Sequence, residues 1–167
     1  MQNIVKTTLA ACLLVIGVAI QPAFAAPLTD DTLKTMIDNL GYTSSVTAQG
    51  ATKSFWIPVT LPDNSYTVQT FLQLSSDKTE LWIVATLSKI PPGKTVPPSV
   101  LMGMLIENDT ITPKSFSLSK TSNTFYLNMR VRNDNVTPAL LRQSIDAMTA
   151  ILTRTEPLWA TDKWPAH

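Results

Sequence analysis

The stretch Thr79-Glu-Leu-Trp-Ile-Val-Ala-Thr-Leu-Ser-Lys89 decides the fold that this chain is expected to adopt. Its residues alternate between two sets with a period of two, which is the pattern of a β-strand. One set points to one side and is apolar: Leu81, Ile83, Ala85 and Leu87. The other set points to the opposite side: Trp82, Val84, Thr86 and Ser88. Because apolar groups lie on both sides near the middle, the pattern indicates a central strand rather than an edge strand.

Four more segments alternate in the same way and complete a predicted antiparallel sheet of five strands. Two of them, residues 55–61 and 66–74, precede the central strand and are joined to it by short turns, so the three strands form a meander. The other two, residues 115–119 and 125–132, follow it and are separated by one turn. No helix or strand is predicted for the long segment 43–53 before the first strand.

Three helices are predicted around this sheet. The first covers residues 28–41, and the second starts near Ser99 and ends near residue 108. Its apolar face is assigned to Leu101, Met104 and Leu105. The third starts at residue 137 and ends before Pro157, with one apolar stripe: Leu141, Ile145, Met148 and Leu152. Arg142 and Asp146 are spaced on it as an i,i+4 ion pair. The fold class is therefore α+β in the order α-β-β-β-α-β-β-α, with the helices mainly on one face of the sheet.

The first 25 residues have the pattern of a bacterial-type secretory signal peptide. Lys6 precedes the uninterrupted apolar run 9–20, and small residues lead to a cleavage site between Ala25 and Ala26. The run is shorter than the roughly 20 residues of a membrane-spanning helix, and no later segment is longer, so we expect no integral membrane segment in the mature chain. Residues 26–167 then form one exported domain, periplasmic or extracellular.

The leader contains the only cysteine, Cys12. The stretch 9–12 resembles a lipobox, but a lipobox cysteine closes the apolar segment and here the segment continues. Cleavage after Ala25 leaves a chain without thiols, whose stability depends on an apolar core. It also removes Lys6, which leaves equal numbers of basic and acidic residues. This neutral balance gives no reason to expect a nucleic-acid partner.

Catalytic and metal-binding patterns are absent from the sequence. The one histidine, His167, is the last residue, and a Ser/His/Asp triad would have to use it as the base. No spacing typical of a zinc, calcium or phosphate site occurs. We therefore expect no catalytic residue, no metal and no cofactor, and the chain is predicted not to be an enzyme.

The sheet face opposite the helices is the strongest candidate site. If Leu81 and Ile83 face the helices, the opposite face carries these side chains: Trp56, Phe71, Trp82, Val84 and Tyr126. Large aromatic side chains exposed together indicate a protein-binding surface. The alternative is that this face is covered by residues 43–53, by the irregular tail with Trp159 and Trp164, or by a second copy of the chain.

The proline-rich segment 90–98 is a second candidate. It contains four prolines and a glycine and is predicted to be an extended loop. Pro97 and Pro98 could contact an aromatic groove of a partner. The alternative is that the loop only stiffens a connection.

The order of elements resembles the YbjN-type family, which has the type III secretion chaperone-like (Tir chaperone-like) fold. The resemblance covers residues 29–157. It rests on five segments: Leu-Gly-Tyr at 40–42, Leu-Ile-Glu-Asn at 105–108, Lys-Ser-Phe-Ser-Leu at 114–118, Phe-Tyr-Leu at 125–127 and Asn-Asp-Asn-Val-Thr-Pro-Ala-Leu-Leu at 133–141. It implies a protein-binding module, in several cases dimeric. The signal peptide is a departure, because secretion chaperones act in the cytoplasm. We expect a non-enzymatic exported protein-binding module that binds a protein partner or a second copy of the chain. The first alternative is a structural or envelope-assembly role, and the second is an enzyme with an unrecognised polar site.

Overall fold

The computed structural model describes residues 26–164. The predicted signal peptide, including Ala25 on one side of its cleavage site, lies outside the described residues, as does His167, whereas Ala26 on the other side is exposed and irregular. Within these residues, ten elements follow in chain order. They are α1 (Asp30–Asn39), β1 (Ser45–Gln49), β2 (Thr52–Thr60), β3 (Thr67–Leu74), β4 (Glu80–Lys89), α2 (Pro98–Thr110), β5 (Ser115–Ser119), β6 (Thr124–Arg132), α3 (Pro138–Arg154) and α4 (Glu156–Trp159).

The α+β class is confirmed, but the prediction of five strands is wrong. The sheet has six strands in the order β1-β2-β3-β4-β6-β5, and every neighbouring pair is antiparallel. The additional strand is β1, which lies within the unassigned segment 43–53 and pairs with β2 at one edge. Residues 79–89 do form a central strand, since β4 pairs with β3 on one side and β6 on the other.

The two ends of the first helix are defined by a threonine cap and a glycine. Thr29 is its N-cap: the Thr29 hydroxyl accepts a hydrogen bond from the Thr32 N–H, and the Thr32 hydroxyl accepts one from the Thr29 N–H. Gly41 follows the C-cap with φ +85°, which glycine adopts without a steric penalty. Leu33 and Ile37 are buried between these ends.

One apolar core lies between the helices and one face of the sheet. The helices contribute Leu33, Ile37, Val100, Met104, Leu141, Ile145, Met148 and Leu152. The strands contribute Phe55, Ile57, Leu72, Leu81, Ile83, Ala85 and Leu127. The predicted inward set of β4 is therefore buried, and on the opposite face of β4 Val84 is buried as well, whereas Trp82, Thr86 and Ser88 are partly exposed.

The C-terminal tail, which was expected to be irregular, is helical at Trp159 and irregular from residue 160 to Trp164. A fourth helix, α4, begins directly after α3, with Pro157 in its first turn. Trp159 and Trp164 are both buried in the core, where Trp159 contacts Tyr66 at a ring-centroid distance of 5.1 Å and Trp164 contacts Phe125 at 6.0 Å. The tail therefore covers the same face as the helices.

A hydrogen bond between Tyr66, which directly precedes β3, and the tail supports this arrangement. The Tyr66 hydroxyl donates to Asp162 Oδ2 at 2.7 Å. Burial and this bond to a carboxylate raise the pKa of Tyr66 to about 12, while the same bond lowers the pKa of Asp162. Both shifts stabilise the folded state at neutral pH, where the phenol is protonated and the carboxylate is ionised.

Two details of the predicted helices are corrected. In α2, Val100 and Met104 are buried, whereas Leu101 and Leu105, which were assigned to the buried face, are exposed. In α3, Arg142 forms no ion pair with Asp146 in the described structure. Its guanidinium instead donates to the Leu40 carbonyl at 2.6 Å and so satisfies an acceptor at the C-terminal end of α1.

Candidate functional site

The open face, meaning the sheet face opposite the helices, is ordered in rows that run across the strands. In the central row Trp56, Phe71, Val84 and Asn128 are direct cross-strand neighbours on β2, β3, β4 and β6. Side chains that face each other across antiparallel strands are about 5 Å apart at Cβ, so such a row forms a continuous surface. The Trp56 and Phe71 rings accordingly lie with centroids 4.9 Å apart.

Two flanking rows complete the open face. One pairs Gln73 with Trp82 and Trp82 with Arg130. The other pairs Thr86 with Tyr126. All five residues that the sequence analysis proposed as protein-binding therefore share one face, four of them partly exposed and Val84 buried between its row neighbours. Their placement is a result of the alternation, while their role in binding stays a proposal.

The structure brings four of the five together in one open depression of about 650 Å³. Phe71, Trp82, Val84 and Tyr126 line its apolar part. Trp56 lies outside it, next to Phe71. A second depression of about 430 Å³ shares the walls Trp82 and Asn128, so the two adjoin along β4 and β6. Together they make an extended groove rather than a closed pocket.

The rim of the depression is polar but uncharged. It is formed by amide and hydroxyl side chains: Thr52, Gln73, Ser75, Ser76 and Asn128. Two of the amides are held in place, since Gln73 Oε1 accepts a hydrogen bond from Ser54 Oγ at 2.6 Å and Asn128 Nδ2 donates to Ser117 Oγ at 2.8 Å. An aromatic floor with a fixed, neutral polar rim favours an uncharged, partly apolar ligand surface.

The aromatic side chains are themselves positioned by polar contacts. Trp56 Nε1 donates to Thr47 Oγ1 of β1 at 2.9 Å. The Arg130 guanidinium lies 5.2 Å from the Trp82 ring centroid, which is a cation–π distance, and 3.7 Å from a Glu80 carboxylate oxygen. Because the Arg130 charge is compensated by Glu80, the wall at Trp82 remains close to neutral.

Of the three segments or molecules that were considered as a cover for the open face, residues 43–53 and the C-terminal tail lie elsewhere in the structure. Residues 43–53 extend the sheet through β1 instead of crossing it. Trp159 and Trp164 are buried on the helix side. A second copy of the chain is the third candidate, and the open face is free of protein cover within residues 26–164.

In the proline-rich segment 90–98, the two residues proposed as contacts, Pro97 and Pro98, do not lie in a free loop. Pro97 is buried and is the N-cap of α2, and Pro98 is the first residue of that helix. Proline is favoured at this position because its missing N–H would have no partner there. Pro97 is thus held in the helix start, and only Pro98 is exposed to solvent.

Two groups of residues were missed by the sequence reasoning. Gln73 and Asn128 lie on the open face beside the aromatic residues. This placement could have been predicted, because each is two residues from Phe71 or Tyr126 and side chains two apart on a strand share a face. The second group is on α2, where Met102 and Ile106 are exposed with Leu101 and Leu105. No helix among residues 26–164 is both long and apolar enough to cross a bilayer, and no group of three potential metal ligands occurs there.

The comparisons with known proteins show the fold and not a family. No family model matches the chain, and no curated protein matches it. A chain of the HopA1-SchA chaperone-effector complex has a similar structure, with a TM-score of 0.50 and 13% identity over 75% of this chain and 88% of that chain. An uncharacterized protein from Methanothermobacter thermautotrophicus is also similar, with a TM-score of 0.57 and 10% identity over 77% of this chain and 94% of that one.

Proposed function

We propose that this chain is an exported, non-enzymatic protein-binding module that holds its partner on the open face. The observation that carries the proposal is the depression lined by Phe71, Trp82 and Tyr126 on a sheet face without helices. Large aromatic side chains in a partly desolvated depression are the residues that most often dominate the free energy of protein binding. The similarity to a chain of a chaperone–effector complex supports a role in binding another protein.

The chemistry of the groove narrows the kind of partner. The rim of the larger depression offers hydroxyl and amide groups, and the Arg130 guanidinium in the adjoining depression is paired with Glu80. We infer a partner segment that presents aromatic or aliphatic side chains together with uncharged hydrogen-bonding groups. The charged side chains beside the groove are already paired, Arg130 with Glu80 and Lys78 with Asp30, which disfavours a strongly acidic or basic partner. The YbjN-type relationship belongs to the same proposal and rests on the segments quoted above.

A double substitution tests the binding site. Trp82→Ser with Tyr126→Ser is expected to leave the chain folded, because both side chains are only partly buried. A photo-crosslinking side chain at Gln73 first identifies the partner in the cell envelope, and the affinity of the purified partner is then measured. We expect the double variant to bind at least about 30-fold more weakly, which corresponds to the loss of a binding hot spot.

The control for this experiment is Val46→Ser. Val46 is 47% exposed on β1 and lies outside the depression, so its loss removes apolar surface elsewhere. It should leave the affinity unchanged. Equal affinities for the wild type and the double variant would show that the open face does not bind the partner. A structural or envelope-assembly role would be favoured if the partner proves to be a cell-wall component.

The export part of the proposal predicts the first residue of the mature protein. Ala23 and Ala25 are small enough for signal peptidase, and the apolar run continues beyond Cys12. Intact mass and N-terminal sequencing of the protein isolated from its own cells should give Ala26 as the first residue, without lipid. A lipidated Cys12 or a retained Met1 would contradict export by this route.

A further inference from the structure

Two side chains of the larger depression on the open face present N–H groups that no neighbour uses. Gln73 is bound through its Oε1, which accepts from Ser54 Oγ, so its Nε2 has no partner within residues 26–164. The indole Nε1 of Trp82 donates to no group in that part of the chain, whereas the indole of Trp56 donates to Thr47. Amide and indole N–H groups can only donate. A ligand that displaces water from them must therefore supply acceptors.

Fixed acceptors are scarcer on the same surface. Asn128 Nδ2 donates to Ser117 Oγ at 2.8 Å and to the Ser115 carbonyl at 3.3 Å, and this carbonyl can pair only with a donor. The Asn128 side chain is thereby oriented, with its Oδ1 turned away from β5 as an acceptor in the depression. The other polar groups of the lining are hydroxyls, which act either way. The depression therefore favours a ligand that accepts more hydrogen bonds than it donates.

The aromatic rings form ridges around a lower floor. The floor is Val84, with Phe71 beside it on β3. Trp82 lies one row away from Val84 along β4, and Tyr126 lies one row away in the other direction, opposite Thr86 on β6. Two rows correspond to four residues of strand, so the Cα atoms of Trp82 and Tyr126 are roughly 14 Å apart. A ligand in the depression fills the space between these two ridges.

We propose that the segment held in this depression is a proline-rich stretch of the partner in the polyproline II conformation. The inference rests on the proposed function and specifies the partner of the same site. A polyproline II helix has no internal hydrogen bonds, so its carbonyl oxygens are free, and proline contributes no N–H. It therefore has the excess of acceptors that Gln73 and Trp82 favour. At about 3.1 Å per residue, roughly four or five residues span the distance from Trp82 to Tyr126.

Other peptide conformations are less complementary to this surface. An α-helix uses its backbone carbonyls internally, so it would offer Gln73 and Trp82 side-chain acceptors only. A β-strand pairs along the edge of a sheet, but the depression lies on the face of β3, β4 and β6, where β4 and β6 are paired on both sides and β3 lies between β2 and β4. Proline-rich segments, in contrast, bind to grooves lined by aromatic rings.

The polar groups also indicate a mixed sequence rather than a pure run of proline. Asn128 Oδ1 accepts one N–H, which proline cannot supply, so a residue other than proline is favoured between the prolines. That residue is expected to be uncharged, because the nearby Arg130 guanidinium is already paired with Glu80. We therefore expect prolines interrupted by uncharged polar residues.

A synthetic peptide tests the proposal on the protein as isolated from its cells. The probe is a blocked, uncharged repeat of Pro-Pro-Gln, about ten residues long. We expect a dissociation constant on the order of 100 µM or lower by calorimetry, and changed NMR signals of the Gln73 and Asn128 side-chain amides. A repeat of Ala-Ala-Gln should bind at least about tenfold more weakly, because it lacks the preformed conformation. The Trp82→Ser, Tyr126→Ser variant should not bind the probe.

The substitution Gln73→Glu tests the donor argument. Glutamate keeps an oxygen that accepts from Ser54 but has no N–H, so the probe should bind at least about fivefold more weakly. Gln69→Glu is the matched control, because Gln69 lies on the same strand and the same face but outside the lining of the depression. It should bind the probe like the wild type. Equal affinities for the wild type and Gln73→Glu would contradict the proposal.

Competition with the partner distinguishes this inference from the proposed function. Excess probe should displace the purified partner from the wild-type protein. If the Trp82→Ser, Tyr126→Ser variant weakens the partner but the probe does not displace it, the proposed function stands and the proline-rich segment is wrong. Binding of cellohexaose, an uncharged oligosaccharide, without binding of the probe would likewise overturn this inference. A partner whose affinity is unchanged in the double variant would overturn both.

Discussion

The substitution Ile145→Ala is expected to lower the free energy of unfolding by about 2–5 kcal/mol. Ile145 is 2% exposed at the middle of the apolar stripe of α3, between Leu141 and Met148, which are buried as well. Removing three of its carbon atoms leaves a cavity that rigid neighbours on the sheet cannot fill. Urea denaturation should show a lower midpoint with an unchanged slope, and the melting temperature should fall by on the order of 10 °C.

The matched control is Ile106→Ala in α2. The chemical change is the same, also within a helix, but Ile106 is 61% exposed. Its effect on stability should stay within about 0.5 kcal/mol. Similar midpoints for the two variants would show that the buried side of α3 has been assigned incorrectly.

The stripe of α3 and the strand pattern of β4 could be predicted because each has one buried and one exposed side. In α3, the buried residues Leu141, Ile145, Met148 and Leu152 repeat at helical spacing. In β4, the inward residues alternate with the outward ones, and the structure buries the expected set. Local sequence predicts an element and its buried side where one side of the element packs against the core and the other faces solvent.

Strand β1 could not be predicted for the opposite reason. It is an edge strand of five residues, and its one large apolar side chain, Val46, is 47% exposed. A strand that buries almost nothing leaves no apolar alternation in the sequence. What defines it is its pairing with β2, from Ser45 with Trp56 to Gln49 with Thr52, and this pairing is a tertiary contact.

Helix α2 and the tail show two further limits. Because α2 is apolar on every side, its sequence could not indicate which side is buried, and Leu101 and Leu105 were assigned to the wrong one. In the tail, Pro157 was interpreted as the end of α3, whereas it lies in the first turn of α4. Proline is compatible with both positions, so the choice depends on the packing of Trp159 against Tyr66.

The candidate site was predictable as a face but not as a groove. Alternation alone places Trp56, Phe71, Trp82 and Tyr126 on the same side of the sheet. The cross-strand register decides which of them are neighbours, and register is set by turns and distant pairs. For this reason the neutral rim with Gln73 and Asn128, which limits the kind of partner, became visible only in the structure.

Asn133→Ala is expected to destabilise the chain by about 3 kcal/mol, because three hydrogen bonds, two of them buried, are lost at once. The Asn133 side chain is 2% exposed and connects the start of α1 with the β3–β4 turn. Its Oδ1 accepts from the Leu28 N–H at 2.9 Å, and its Nδ2 donates to the Leu28 carbonyl at 3.0 Å and the Lys78 carbonyl at 2.9 Å. Alanine would leave the Leu28 N–H and carbonyl buried without these partners.

The exposed Asn135, two residues further on, provides the control, since Asn135→Ala should change the stability by less than about 0.5 kcal/mol. Limited proteolysis gives an independent measurement. The Asn133→Ala variant should be cut faster than the control on the N-terminal side of α1, because Leu28 is no longer held to the end of β6. Equal unfolding midpoints and equal cleavage rates for the two variants would show that the three bonds contribute nothing.

Asn133→Asp distinguishes lost hydrogen bonds from lost volume. Aspartate has nearly the same shape and can still accept from the Leu28 N–H, but its second oxygen would face the Leu28 and Lys78 carbonyl oxygens. Burial and these two acceptors disfavour the carboxylate, so its pKa in the folded state must lie above the unfolded value of about 3.9. The destabilisation should therefore be smallest below about pH 4 and should increase as the pH rises toward 7, since only the unfolded state then ionises freely. The destabilisation caused by Asn133→Ala should not depend on pH, and parallel pH profiles of the unfolding free energy for the two variants would contradict a donor role of the Asn133 amide.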